Sequence, residues 1–440
     1  MGYNRGSTLS QKPLEYLSEL VKVQADGEVA VQSLIAETMQ KNGCKVDFYD
    51  YLPTQVPVKG EFSISDEDDG QQRRVLIATA EGDPNLPSLL IFAHPDSESL
   101  KDLDKWHSDP FNAFSNNGKL FGWGVADDLA GCACAVVAIE IILSRKKTSL
   151  GNIIFASTPS KKYAKGVASI LHRGVTADAS LYLHPAESGK GMAEIKAVAS
   201  GQLEFSITVK GSAPDTTEPG HTAFSHLGIN PIEKAIKLID GLSALNESRN
   251  SRILHQRIHN AVGRSTNLHI SRITANSEDK LSRLNETCTL GGAISFPPGE
   301  GLSEVKAEVE NTIKKVAQND AWLKLHYPKI TWISGVTGGE VEENSLFYQV
   351  ASSAIKKITG DLPDVNPMHT SSDIRNPIVE ADIPCVGLGC LGGNLSQNNK
   401  VDEWIDINDF NRMVEVTSEI IERWCSGEQK KEGQTVREND

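Results

Sequence analysis

The segment SLLIFAHPD, residues 88–96, reads as an apolar strand that ends in a histidine and an aspartate. Ligating and catalytic groups gather at strand ends in open α/β sheets, so His94 and Asp96 are candidate site residues. A carboxylate two residues after a histidine commonly orients the imidazole of a metal ligand. A histidine that serves only packing is the alternative, and this segment alone does not decide between them.

Apolar strands and amphipathic helices alternate through the first part of the chain. The strands are RRVLIAT, SLLIFAH, NIIFAST and ASLYLH, and the helices are PLEYLSELVKV, EVAVQSLIAETMQKNG and residues 128–145. This alternation predicts an α/β sheet covered by helices. The same character returns in SLFYQVASSAIKKITG, IPCVGLG and DINDFNRMVEVTSEIIERWC.

A different pattern occupies residues 199–315. The strands GQLEFSITVKG, STNLHISRIT and TLGGAISFPPG accompany two helices, NPIEKAIKLIDGLSAL and LSEVKAEVENTIKKVA. We therefore predict a small α+β unit over 199–315, inserted into an α/β domain formed by 1–198 and 316–425. The tail, 426–440, has almost no apolar residues and is predicted to be disordered.

The composition is that of a globular protein, with 39% hydrophobic and 23% charged residues among 440. A formal net charge of −14 argues against nucleic acid or an anionic membrane as the main partner. The longest apolar run, CACAVVAIEIIL, is too short to span a bilayer, and no secretory signal is evident. Seven dispersed cysteines favour reduced thiols and a cytoplasmic location.

Five further motifs follow the first histidine in a fixed order. They are KWHSDPF (105–111), GKLFGWGVADDLAG (118–131), PGHTAFSHLGINPIEKA (219–235), HTSSDIRNPI (369–378) and VDEWIDINDF (401–410). Together they resemble the co-catalytic zinc peptidase and aminoacylase family, which includes carboxypeptidase G, acetylornithine deacetylase, carnosine dipeptidase and aminoacylase. The resemblance implies a phosphorylase/hydrolase-like catalytic domain with an inserted ferredoxin-like lid domain, and a homodimer formed through that lid.

The resemblance also assigns roles to individual residues. His94 matches the first zinc ligand, Asp127 the bridging aspartate and His184 a later ligand, for which Glu187 is a weaker candidate. Arg375 matches a clamp for a substrate carboxylate, since guanidinium binds carboxylate in a bidentate manner. The remaining substrate-binding candidates are His221, which reaches the substrate across the dimer in the relatives, Asn285 and His369.

The sequence departs from the family pattern at four positions, one of which is Leu129, where the family usually has a lysine after the Asp-Asp pair. Lys161 and Lys162 stand where the family has a glutamate pair that serves as general base and ligand, and Asn399 stands where it has its last histidine. A protonated lysine has no lone pair and cannot bind zinc. Two lysines without zinc carry the same charge as two zinc ions with two glutamates, which suggests a compensated loss of the metals. A solvent-exposed lysine pair is the alternative.

Three functions fit this pattern. The first is a metal-independent enzyme without cofactor, which uses Lys161, Lys162, His184, Asp127 and Asp96 for condensation, amide or imine formation, or rearrangement of an amino-acid-derived carboxylate. A partly desolvated lysine that titrates near neutral pH would suit such chemistry, including a Schiff base. The second is a hydrolase of N-acyl amino acids or dipeptides with one zinc on His94, Asp127 and His184. The third is an inactive relative that serves as a binding subunit.

Overall fold

The computed structural model describes residues 11–64, 70–145, 149–185, 189–218, 220–275, 281–366, 372–392 and 400–427. The predictions for Glu187, His369 and Asn399 fall outside these residues, as does the tail beyond residue 427. Within the described residues, no helix is both long enough and apolar enough to cross a membrane. All seven cysteines are buried with free thiols.

The described residues form helices that pack on both sheets. They are α1 (Lys12–Val23), α2 (Glu28–Lys41), α3 (Ala130–Arg145), α4 (Gly166–His172), α5 (Pro231–Arg252), α6 (Gln256–Val262), α7 (Leu302–Gln318), α8 (Ala321–Leu325), α9 (Leu346–Thr359), α10 (Arg375–Ala381) and α11 (Ile407–Cys425). Local sequence sets their ends. For example, the Asn230 side chain accepts a hydrogen bond from the backbone N–H of Ile232 and caps α5, whose first residue is Pro231.

The strands follow the same chain order. They are β1 (Lys45–Tyr51), β2 (Glu61–Ser63), β3 (Arg73–Ala80), β4 (Leu89–Ala93), β5 (Phe114–Asn116), β6 (Lys119–Phe121), β7 (Ile153–Ser157), β8 (Ala179–Leu183), β9 (Glu194–Ile195), β10 (Val198–Ala199), β11 (Gly201–Lys210), β12 (Asn267–Ala275), β13 (Thr287–Phe296), β14 (Lys329–Val336), β15 (Gly339–Glu340), β16 (Asp364–Val365), β17 (Cys385–Leu388) and β18 (Trp404–Asp406).

The first sheet has the order β1-β3-β7-β4-β8-β17. Strands β7, β4, β8 and β17 run parallel, while β3 and β1 are antiparallel to their neighbours. Every residue of β4 and of β8 is buried, as expected for parallel strands covered on both faces. Helix α3 is apolar almost throughout and is buried from Ala130 to Ile139, which explains its uniform composition. The predicted α/β domain is confirmed.

The second sheet is antiparallel, with the order β12-β13-β11-β14-β2. Buried residues alternate along β11, and helices α5 and α7 cover the buried face. The inserted α+β unit is therefore present, but the predicted range 199–315 is too short. Strand β14 pairs with β11 although it follows residue 315, and β2 joins the edge from the first part of the chain. The dimer through this unit stays a prediction.

Candidate active site

The candidate site lies where neighbouring parallel strands end. His94 directly follows β4, His184 directly follows β8, and Lys161 lies four residues beyond β7. Because β7, β4 and β8 are adjacent and parallel, the residues after their carboxyl ends meet at one edge of the sheet. A cavity of about 430 Å³ opens there, between these segments and strands β11 and β14 of the second sheet.

Lys161, which lines this cavity, forms an ion pair with the buried Asp127. The Lys161 Nζ lies 2.8 Å from Asp127 Oδ2, and the two side chains are 16% and 6% exposed. Burial acts to raise the pKa of Asp127, but the ammonium of Lys161, together with His184, holds it well below its ordinary value. Burial likewise acts to lower the pKa of Lys161, and the Asp127 carboxylate raises it above its ordinary value. The pair is therefore fully charged at neutral pH.

Glu403 fixes the turn that carries Asp127. This buried carboxylate accepts hydrogen bonds from the backbone N–H groups of Gly124, Ala126 and Asp127, at 2.8–3.1 Å. Burial raises the pKa of Glu403 to about 7, although the three backbone donors act to lower it. The closing glutamate of the sequence pattern therefore holds the loop of the site and does not line the cavity.

His184 contacts Asp127 on one side and a buried lysine on the other. Its Nε2 lies 3.5 Å from Asp127 Oδ1, and its Nδ1 lies 3.1 Å from Nζ of Lys196. Lys196 is 2% exposed and also donates a hydrogen bond to the carbonyl oxygen of Pro185 at 2.8 Å. Burial lowers the pKa of Lys196 to about 8, against the opposing effect of the Glu194 carboxylate.

His94 is buried and contacts Tyr182 and Asp373, which line the cavity. Its Nδ1 lies 2.6 Å from the carbonyl oxygen of Thr158, and its Nε2 lies 2.9 Å from the Tyr182 hydroxyl and 3.0 Å from Asp373 Oδ2. Burial acts to lower the pKa of His94, but the Asp373 carboxylate raises it to about 9. His94 is therefore an imidazolium at neutral pH, with a protein partner at each ring nitrogen.

The prediction that Asp96 orients the ring of His94 is wrong. The Asp96 carboxylate accepts hydrogen bonds from the backbone N–H groups of Ser160 and Lys161 and from Nη2 of Arg73, at 2.8–3.1 Å. The ring nitrogen that Asp96 was expected to contact bonds to Thr158 instead. Asp96 therefore shapes the backbone of the segment that carries Lys161.

The two adjacent lysines lie in different surroundings. Lys161 is largely buried against Asp127, whereas Lys162 is exposed and lines the cavity at its mouth. Lys162, Tyr163 and Lys165 all have positive φ angles of 52–54°, which turns the chain sharply between β7 and α4. The alternative of a solvent-exposed pair therefore describes Lys162 and not Lys161.

Arg375 lines the cavity, but its guanidinium is occupied by protein acceptors. It donates to the carbonyl oxygens of Thr337 and Lys59, to the Thr337 hydroxyl, to Glu61 and to Asn376, at 2.6–3.3 Å. These contacts use all five N–H groups of the side chain. Since β2, which contains Glu61, belongs to the second sheet, Arg375 joins the two parts of the molecule. In this arrangement it has no donor left for a carboxylate clamp.

His221 and Asn285 lie on the inserted unit, away from the residues that line the cavity. His221 caps a short helical turn by accepting a hydrogen bond from the backbone N–H of Ala223 at 3.2 Å. The Oδ1 of Asn285 is buried and has no hydrogen-bond partner among the described residues. Their predicted roles toward substrate stay predictions.

Three residues of the site were missed in the sequence: two that line the cavity and one that contacts His184 from outside it. Tyr182 lies two residues before His184, so the two-residue period of the strand places both on one face, and this signal was available. Asp373 lies two residues before Arg375, inside a motif that was recognised for its arginine. Lys196 lies two residues after Glu194 in the stretch MAEIKAVA, and only the packing of β9 against β17 shows its contact with His184.

Together, the sheet order, the inserted antiparallel unit and the site at the strand ends define a two-part α/β fold of the zinc-peptidase class. The family model for peptidase family M20/M25/M40 matches residues 90–423, and the chain belongs to this family. Among solved structures, aminopeptidase PepT of Bacillus cereus matches with a TM-score of 0.68 at 18% identity, covering 94% of this chain and 98% of PepT. The YXEP protein of Bacillus subtilis, a dinuclear metal binding peptidase, matches with a TM-score of 0.59 at 14% identity, covering 94% and 97%.

Two curated relatives carry the same name, N-formyl-4-amino-5-aminomethyl-2-methylpyrimidine deformylase. The one from Bacillus subtilis is 24% identical over 414 residues, covering 90% of this chain and 89% of the relative. The one from Halalkalibacterium halodurans is 26% identical over 416 residues, covering 90% and 88%. Both relatives are hydrolases and match this chain along nearly its whole length.

The side chains of this site do not fit a dinuclear metal centre. An ammonium lies against Asp127 Oδ2, where the family's bridging aspartate would bind a cation, and an ammonium cannot be a ligand. The ring nitrogens of His94 both face protein groups, Asp373 among them. In the described ranges, no three His, Cys, Asp or Glu side chains are grouped so that they could hold a metal ion. His94 and His184 are nevertheless close, with ring centroids 6.4 Å apart.

Proposed function

We propose that this chain is a metal-independent enzyme of the M20 family, which acts on a small, carboxylate-bearing molecule derived from an amino acid. The observation that carries the proposal is the 2.8 Å contact between Asp127 and the ammonium of Lys161, which lines the cavity. Lys161 stands where the family resemblance places a glutamate. The site therefore has a fixed positive charge at a position where the relatives have a base.

Lys161 acts in this proposal as a charged hydrogen-bond donor that keeps its proton. A lysine whose pKa is raised by Asp127 does not supply the neutral amine that a Schiff base or a general base requires. The earlier expectation of a lysine that titrates near neutral pH is therefore not supported for Lys161. An ammonium in a partly buried cavity is suited to stabilise the negative charge that develops on a carbonyl oxygen during addition.

His184 supplies a second polar hydrogen-bonding group at the same carboxylate. It lines the cavity next to Lys161 and lies 3.5 Å from the other oxygen of Asp127. Condensation, amide or imine formation, and rearrangement through a carbonyl adduct all develop charge on oxygen. A pair of fixed donors would favour each of these steps. Which of the reactions takes place then depends on the chemical groups of the substrate.

The substrate carboxylate is proposed to bind the lysines at the cavity mouth. Lys162 and Lys165 line the wall formed by the segment before α4, and lysine binds an anion as a point charge. Arg375 is a weaker candidate for this role because protein acceptors use all its N–H groups. Glu204, on β11, lines the opposite wall and would favour an amine at the other end of the molecule.

The second candidate is hydrolysis of an N-formyl or N-acyl amine. It is favoured by the two relatives named as deformylases, which match 90% of this chain. It requires an activated water, and in the mono-zinc form it would use His94, Asp127 and His184 as ligands. The ion pair of Lys161 with Asp127 and the contact of His94 with Asp373 would both have to open for that form to assemble.

One experiment separates these candidates. Protein purified without added zinc is analysed by elemental mass spectrometry and incubated with N-acyl amino acids, N-formyl amines, dipeptides and amine–carbonyl pairs, with and without a chelator. The proposal predicts zinc well below one per chain, turnover that the chelator does not change, and loss of turnover in Lys161→Met. Lys190→Met, an exposed lysine paired with Asp364, is the control that keeps wild-type turnover.

About one zinc per chain, with hydrolysis that the chelator abolishes and zinc restores, would overturn the proposal and support the second candidate. Ligand binding in the cavity without turnover, equally lost in Lys161→Met, would identify the chain as a binding protein on an enzyme fold.

A further inference from the structure

A buried lysine outside the cavity contacts one of the side chains that line it. Lys196 directly follows β9, and its backbone is tied to Gly387 of β17 by two hydrogen bonds of 2.9 and 2.7 Å. Its side chain is 2% exposed and does not line the cavity. Its Nζ instead reaches the back of His184, where it lies 3.1 Å from Nδ1 and 2.8 Å from the Pro185 carbonyl oxygen.

The strand beside Lys196 leaves room for this side chain. A Cβ atom at Gly387 would lie 3.0 Å from Cβ and 3.3 Å from Cδ of Lys196. A larger residue at position 387 would therefore press on the stem of the lysine. His184 is anchored on the same side, because its backbone N–H donates to the carbonyl oxygen of Leu388 at 2.9 Å. Both partners of the 3.1 Å contact are thus held by the pairing with β17.

We propose that Lys196 is a positioning residue that holds His184 in the tautomer with its proton on Nε2, directed at Asp127. An ammonium has three N–H groups and no lone pair, so the ring nitrogen that faces it must accept. Nδ1 is that nitrogen, and the ring proton must then reside on Nε2, which lies 3.5 Å from Asp127 Oδ1. The inference rests on the proposed function, since it assigns His184 the role of a donor at that site.

This tautomer separates the two candidate functions. A histidine that binds a metal through Nε2 needs a lone pair on that atom, and its Nδ1–H commonly donates to a carboxylate or carbonyl. Lys196 presents a donor to Nδ1, so it favours a ring with its proton on Nε2 and its lone pair on Nδ1. With Lys196 behind it, His184 donates from Nε2 to Asp127 or to a substrate oxygen that approaches in the cavity.

The tautomer can be read directly from the ring nitrogens by NMR. Protein labelled with ¹⁵N-histidine is treated with chelator and measured at neutral pH without substrate, and His184→Gln identifies the His184 signals. We expect wild-type His184 to show a protonated Nε2 and an unprotonated Nδ1. In Lys196→Met, which keeps most of the aliphatic length of the side chain but removes the donor, we expect a mixture of tautomers. Lys190→Met, six residues away and exposed, should match wild type.

Three results would overturn the proposal. The first is wild-type His184 protonated at Nδ1, alone or together with Nε2. The second is an unchanged tautomer in Lys196→Met, and the third is an equal change in Lys190→Met. The wild-type measurement stands even if Lys196→Met does not fold. The NMR measurement needs neither turnover nor zinc. The tautomer proposal can therefore be wrong while the metal-independent function is correct, and it can be correct while that function is wrong.

Discussion

Two buried clusters next to the cavity each hold a charged group at their centre, but the charges are of opposite sign. In one cluster a carboxylate, Asp127, lies between Lys161 and His184, and in the other an imidazole, His94, lies between Asp373 and Tyr182. Burial alone would favour the neutral form of both central groups. Instead, the pKa of Asp127 is held well below its ordinary value and that of His94 is raised to about 9.

The same contrast separates the two buried lysines. Burial acts to lower the pKa of both, but Lys161 contacts a carboxylate and its pKa is raised. Lys196 contacts an imidazole nitrogen and a carbonyl oxygen, and burial brings its pKa down to about 8. The identity of the nearest group, rather than the depth of burial, therefore decides whether the pKa of each buried lysine rises or falls.

Removal of the Lys161 ammonium should give the largest effect. Lys161→Met leaves the buried Asp127 carboxylate without its closest cation, and breaking a buried pair in this way costs about 3–5 kcal/mol. We expect a loss of this size in the free energy of unfolding at neutral pH, measured by urea denaturation.

Two controls accompany this prediction. Lys162→Met removes the exposed neighbour and should change the free energy of unfolding by no more than about 0.5 kcal/mol. The double variant Lys161→Met/Asp127→Asn should recover much of the loss, because it removes both charges. Equal losses from Lys161→Met and Lys162→Met would show that the buried pair is not what distinguishes the two lysines.

The raised pKa of His94 should appear as a pH dependence of stability. Its folded pKa of about 9 exceeds the ordinary value of 6.5, so the native state binds the extra proton between these values. The stabilisation is therefore complete below about pH 6.5 and is lost as the pH rises toward 9, by roughly 2–3 kcal/mol. Asp373→Asn removes the main cause, so its urea denaturation should lack this loss. A constant difference between wild type and Asp373→Asn over the same range would contradict the assignment.

The sequence predicted those parts of the molecule that are encoded locally. Strands β4 and β8 are continuous apolar runs because they are buried on both faces, and the residues that follow them belong to the candidate site. Strand β14 was missed because most of its residues are only half-buried, which weakens the apolar pattern. It therefore fell outside the predicted inserted unit.

In the site as well, residues could be predicted from nearby sequence, whereas contacts between distant parts of the chain could not. Lys161 and Asp127 could be predicted from their positions in motifs. The partners of Arg375 could not, because Glu61 and Lys59 lie more than 300 residues away in the chain. The bonds of Asp96 to the backbone after β7 also depend on strand order, and that order is a property of the folded sheet.

Lys196 should give a pH dependence of the opposite sign. Its folded pKa of about 8 lies below the ordinary 10.5, so the unfolded chain binds more protons between these values and stability rises with pH. From pH 8 to about 9.5, wild type should gain about 1.5 kcal/mol in free energy of unfolding relative to Lys196→Met. Urea denaturation of both proteins at several pH values measures this gain. A difference that stays flat, or falls, would show that Lys196 keeps an ordinary pKa in the folded protein.

Tyr182→Phe should give the smallest effect and tests which neighbour holds the charge on His94. The Tyr182 hydroxyl lies 2.9 Å from His94 Nε2, but Asp373 remains at 3.0 Å from the same atom after the substitution. We expect a loss of about 0.5–1.5 kcal/mol in the free energy of unfolding, the usual contribution of one hydrogen bond. Because Asp373 is retained, the loss should be similar at pH 6.5 and at pH 9. If Tyr182→Phe instead removed the pH dependence that Asp373→Asn is expected to remove, the hydroxyl and not the carboxylate would be the group that keeps His94 charged.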